Sequence, residues 1–187
     1  MKVIFLDFDG VLNSEGSFSY EERLRKKFKK EFKDKPTNQT LCNVCTSNFQ
    51  MILEHYPKVK IVISSTWREL YSLDWLKEKL ALYGIDSSRV IDSTIIYCNG
   101  INRGLEIKIW LDEHPQVKHY IIIDDNDWNI SQIHGTDKFV KTTWEIGLTY
   151  THALEAIEKL KTTKKSTFVG TQSNLLSSSS LKDSSSK

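Results

Sequence analysis

Lys2-Val3-Ile4-Phe5-Leu6-Asp7-Phe8-Asp9-Gly10-Val11-Leu12 opens the chain, and its reading decides the fold. Four consecutive apolar residues, Val3 to Leu6, lead straight into a turn signal. A run without alternation suits a strand covered on both faces, as in the middle of a parallel sheet. Asp7 then falls at the carboxyl end of that strand, where open α/β sheets bind their ligands. Asp7 and Asp9 lie two residues apart in extended chain and point the same way, and Gly10 lets the backbone turn after them. Two converging carboxylates at neutral pH require a shared proton or a cation, ordinarily a magnesium ion.

Outward from this stretch, the chain alternates strands with helices. Strands are expected at residues 59–63, around Val90-Ile91, at 118–123 and at 138–140. Helices are expected over 20–35, 41–56, from Ser72 to Gly84, over 105–114 and over 151–161. Connections of this length are crossovers, so the sheet is mostly parallel with helices on both faces. In the helix over 20–35, Leu24, Phe28 and Phe32 recur at i, i+4 and i+8 and make one apolar stripe, and Pro36 ends it. Leu41, Val44, Phe49, Ile52 and Leu53 are the expected inner side of the next helix. Leu76, Leu80 and Leu82 belong to the helix that stops at Gly84, and Leu154, Ile157 and Leu160 to the last, with Thr149 or Thr151 as its cap.

If Asp7 is a nucleophile toward phosphate, the chain must also supply a donor to the phosphoryl oxygens, a positive charge and further metal carboxylates. Ser64-Ser65-Thr66 follows the run Ile61-Val62-Ile63. Lys108 sits in a predicted helix between Ile107 and Ile109, with Lys118 as its competitor. Asp124-Asp125 follows Tyr120-Ile121-Ile122-Ile123, with Asp127 close behind. Either Ser64 or Ser65 can hold the phosphoryl group, and the choice among the three later aspartates stays open.

In this order, Asp7-Phe8-Asp9-Gly10-Val11, Ser64, Lys108 and Asp124-Asp125 resemble the four motifs of the haloacid dehalogenase (HAD) superfamily of phosphohydrolases. Ser64-Ser65-Thr66-Trp67-Arg68 more narrowly resembles the small HAD domains of phage and bacterial RNA-repair proteins. The resemblance covers roughly residues 1–160. It implies a Rossmann-like three-layer α/β fold with a five-stranded sheet of order 5-4-1-2-3 and a minimal helical cap insert at about 14–40. The activity it implies is a magnesium-dependent phosphomonoesterase. Asp7 would form an aspartyl phosphate, Asp9 would act as acid and base, Ser64 would bind the phosphoryl oxygens and Lys108 would neutralise them. Asp7, Asp9 (through its carbonyl), Asp124 and Asp125 would hold the ion. Ser65, Thr66 and Arg68 are candidate substrate contacts, and Trp67 and Trp128 are candidate rim aromatics.

At 187 residues, with 39% apolar and 27% charged residues, the chain has room for one full core and no second domain of ordinary size. Its expected organisation is a catalytic domain over 1–161 and a disordered Ser/Lys-rich tail over 162–187, where residues 177–187 hold seven serines. The net charge is only +2, yet residues 23–35 carry eight Lys or Arg against two acids, which suits an anionic partner such as a nucleic-acid end or a nucleotide. The alternatives are a non-catalytic nucleic-acid-binding module and a phosphatase of a small metabolite. A phosphate-accepting receiver domain is disfavoured because the D-x-D opens the chain. Three cysteines suit a reducing compartment. Cys42-x-x-Cys45 lacks a second ligand pair and reads as helical burial. A core strand at residue 2 leaves no room for a signal peptide and no run is long enough to span a membrane, so a cytoplasmic protein is expected.

Overall fold

Leu6, the last residue of β1 (Lys2–Leu6), lies between Ile63 of β2 (Lys60–Ile63) and Ile123 of β4 (His119–Asp124), all three strands running the same way. In the computed structural model, which describes residues 1–30, 40–96 and 102–161, β3 (Val90–Ser93) and β5 (Phe139–Lys141) complete a five-stranded parallel sheet of order β3-β2-β1-β4-β5. This is the expected order read from the other edge. Phe32, Pro36, Asn99-Gly100 and the tail over 162–187 lie outside the described residues.

β1 is central, so its side chains serve two cores by simple alternation. Ile4 and Leu6 join Phe49 and Ile52 of α2 (Asn43–His55), Leu76 and Leu80 of α3 (Leu73–Ala81), and Ala153 and Ile157 of α6 (Tyr150–Lys159). Val3 and Phe5 face the other way, onto Ile107 and Trp110 of α4 (Arg103–Glu113) and Ile130 of α5 (Ile130–His134). Helices therefore cover both faces. Thr149 caps α6 as expected, accepting from the His152 N–H at 3.2 Å, and Gly84 takes the left-handed conformation after α3.

Several expectations are corrected. The helix expected from residue 20 starts earlier: α1 runs Glu15–Lys27, started by a box in which Ser14 and Ser17 each accept the other's backbone N–H. Its Phe28 is 40% exposed, and the buried residue of α1 is Glu21, so the apolar stripe does not pack as expected over the described residues. Val44, Leu82 and Leu154 also face solvent. Leu82 lies two residues past Leu80, about 200° around the helix, and Leu154 is one residue, about 100°, beyond the inward Ala153. Among the described residues no helix is long and apolar enough to cross a membrane.

Candidate active site

The parallel register delivers Asp7, Ser64 and Asp124 side by side: the Asp7 N–H donates to the Ile123 carbonyl at 3.1 Å and the Ser64 N–H to the Leu6 carbonyl at 2.8 Å. Asp7 is buried, and one of its carboxylate oxygens accepts the Phe8 N–H at 2.8 Å. Asp124 ends β4, also buried; its Oδ1 accepts the Asn126 N–H at 2.8 Å while its Oδ2 has no hydrogen-bond partner among the described residues. Asp125 stands beside them, half-buried, and Asp7, Asp124 and Asp125 each offer a carboxylate oxygen within 4.8 Å of the others. Asp127 is elsewhere engaged, accepting the Ser131 N–H at 3.0 Å in the first turn of α5.

The turn after β1 fits this cluster tightly. Gly10 has φ +67°, and a Cβ there would stand 2.4 Å from the Asp125 carboxyl group. The Thr142 hydroxyl, in the loop after β5, donates to the Gly10 carbonyl at 2.6 Å. Asp9 is held from two sides, by Asn13 Nδ2 on Oδ1 and by the indole N–H of Trp67 on Oδ2, each at 2.8 Å. Its carboxylate lies outside the three-aspartate group.

The positive charge comes from a residue the sequence reading missed. Arg103, buried at the start of α4, places Nη1 3.9 Å from Asp7 Oδ1 and 3.8 Å from Asp124 Oδ2. Its Nε lies 3.7 Å from Glu106 Oε2, and neither Nε nor Nη1 makes a hydrogen bond among the described residues. Lys108 is not brought to the site: it is exposed, and its amine pairs with Asp112 at 2.7 Å. Apolar neighbours at i±1 lie on different faces of a helix. The inward face of α4 is instead Arg103, Glu106, Ile107 and Trp110, at i, i+3, i+4 and i+7. Lys118 is further off still, its N–H directed at the Met1 carbonyl at the far end of β1.

Two more expectations change. Arg68 is a buried brace, with bonds to the carbonyls of Ser65 and Thr94 and a 2.5 Å ion pair to Glu106. It ties the loops after β2 and β3 to α4 and does not reach the rim. Trp67 is buried against Phe8 and directs its N–H to Asp9. Of the two serines, Ser65 accepts the Trp67 N–H at 3.3 Å and its hydroxyl helps hold the Asp7 pKa down, while the Ser64 hydroxyl is buried with no hydrogen-bond partner among the described residues. Thr66 and Trp128 line an open cavity of about 630 Å³ above Asp7, Asp9, Arg103 and Asp125. Trp128 sits in a left-handed turn and is 40% exposed.

Burial pushes the Asp7 pKa up to about 6, against the opposing pull of the Arg103 guanidinium and the Ser65 hydrogen bond. Asp124 is raised as well, by burial first and by Asp7 next, and Asp125 chiefly by burial. Three carboxylates against one guanidinium leave uncompensated negative charge around an orphaned oxygen, and every donor is a hard oxygen. That set fits Mg²⁺, which favours carboxylate and water oxygens.

Residues 3–153 match the family model described as the HAD domain in Swiss Army Knife RNA repair proteins. Neither the comparison with curated proteins nor that with solved structures gave a match. With the matched segment covering most of the chain and the sheet order and aspartate cluster on the page, the protein belongs to the family of HAD domains in Swiss Army Knife RNA repair proteins.

Proposed function

We propose that the protein is a magnesium-dependent phosphomonoesterase that works through an aspartyl-phosphate intermediate, with phosphorylated nucleic-acid ends or nucleotides as its substrates. One observation carries the reading. Among the described residues, Arg103 Nη1 and Asp124 Oδ2 make no hydrogen bond, and both flank the buried Asp7 carboxylate, so donor and acceptor capacity for a ligand surrounds a nucleophile.

Asp7, Asp124 and Asp125 would hold the ion, which supplies positive charge to the phosphoryl oxygens when bound. An Asp7 oxygen attacks phosphorus in line, and the bond to the leaving oxygen breaks as Asp9 gives that oxygen its proton. Asn13 and Trp67 fix Asp9 for this transfer. Arg103 and the serines after β2 balance the charge on the remaining oxygens. Asp9 then takes a proton from water, which attacks the same phosphorus and frees phosphate and Asp7. The family's RNA-repair setting and the basic end of α1 support the substrate class.

The test is phosphate release from 3′- and 5′-phosphorylated oligonucleotides, mononucleotides and sugar phosphates, with Mg²⁺ and with a chelator. Release is expected only with Mg²⁺ and is abolished in Asp7→Asn, whose far-UV circular dichroism stays native. Wild-type turnover by Asp7→Asn would sink the covalent mechanism.

A further inference from the structure

A second cavity, of about 620 Å³, adjoins the one over Asp7 and shares Asp9, Thr66 and Trp144 with it. Its walls are aromatic. Phe18 of α1 packs against Trp144 of the loop after β5 with centroids 5.6 Å apart, and Trp67 faces Tyr71 at 5.8 Å. Tyr71 is itself stacked on Trp75 at 4.0 Å, which stiffens that side. Trp144 is 41% exposed and Leu70, on the rim, 76%. Among the described residues no Lys or Arg lines this cavity, and Glu69 is its only charge besides Asp9, so a second phosphate would be repelled. A flat, uncharged, apolar-faced group is what such walls take up, because aromatic faces stack on any base irrespective of sequence.

Position adds the rest. The cavity meets the catalytic one at the carboxyl group assigned to protonate the leaving oxygen, so whatever departs with that oxygen lies toward Phe18 and Trp144. We infer that this aromatic slot is a nucleobase subsite, holding the base of the nucleotide from which the phosphate is removed. The inference rests on the roles given above to Asp7 and Asp9 for where the phosphate sits. It makes the substrate a nucleotide or nucleic-acid end and excludes sugar phosphates as good ligands.

Binding separates this from catalysis. In Asp7→Asn with Mg²⁺, titration calorimetry with adenosine 5′-monophosphate and with ribose 5-phosphate gives the ratio of affinities that the base alone contributes. A preference for the nucleotide of about tenfold or more is expected. It should fall to within about twofold of unity when Phe18→Leu and Trp144→Leu are added, and persist when Trp144→Phe, which keeps an aromatic face, is added instead. Both residues are at the surface, and thermal melting checks the fold; should the combined variant unfold, Trp144→Leu alone carries the same test. A ratio near unity in the Asp7→Asn parent, no measurable nucleotide binding, or a preference that survives both leucines overturns the slot. Phosphate release by the wild-type protein tells the two ideas apart. Release with a ratio near unity removes the slot alone, and a slot-dependent preference without release removes the esterase reading and keeps the slot.

Discussion

A carboxyl group as enclosed as Asp7 ionises at a cost unless cations stand beside it, and Arg103 is one cation for three acids. Asp7 titrates near 6 in the fold, above its ordinary value, so between about pH 4 and pH 6 the folded chain binds more protons than the unfolded one. Stability without metal therefore falls as pH rises through that window, and the raised Asp124 and Asp125 act in the same direction. Mg²⁺ competes with those protons. Its stabilisation, read as a rise in Tm, should be large at neutral pH and shrink toward about pH 5. An equal rise at both would remove the aspartate cluster as the metal site. Arg103→Ala should lower kcat/KM by about 10²–10³, or roughly 3–4 kcal/mol, as expected for losing a group aimed at developing charge. Lys108→Ala, which removes only a surface pair with Asp112, should leave steady-state kinetics within about twofold. The reverse pattern would restore the lysine.

What separates those two residues is where α4 begins. The D-x-D and the apolar strands were legible because parallel register turns sequence position directly into spatial position: each strand end that follows an apolar run lands at the same edge of the sheet. A helical cation has no such rule. Reading the helix from Leu105 left Arg103 outside it, whereas the helix capped by Asn102 begins two residues earlier, at Arg103, whose side chain is buried. The start is fixed by a close approach. A Cβ on Gly104 would lie 2.6 Å from the Asn129 carbonyl oxygen, in the loop that follows the aspartates. Gly104→Ala must push α4 from that loop and carry Arg103 with it. Urea denaturation should register a loss of about 1–3 kcal/mol, and kcat should fall more than KM rises. Unchanged stability and kinetics would mean that the α4 terminus has slack.

Across the whole molecule, α1 starts at the site and leads away from it. Ser14 caps it directly after Asn13, which holds Asp9, and its thirteen residues carry the chain about 20 Å to the basic turn beyond. A mononucleotide filling the aspartate site and the aromatic slot would not reach that turn, while the next phosphates of a polynucleotide could. Arg25 and Lys26 are paired with Glu21 and Glu22 on the same helix, so they are poorer choices for binding phosphate than the raw sequence suggested. Arg23, Lys27, Lys29 and Lys30 are the ones to replace with Gln. If they touch phosphates, KM for a phosphorylated oligonucleotide should rise, and its dependence on salt should flatten by about 0.7 log unit per log unit of salt for each single-strand phosphate that is no longer neutralised. Kinetics on adenosine 5′-monophosphate should stay within about twofold. Equal losses on both substrates would show that the basic turn supports the fold of α1, and with it Phe18. A salt slope that does not move would leave these four side chains as a solvated surface and confine recognition to the terminal nucleotide.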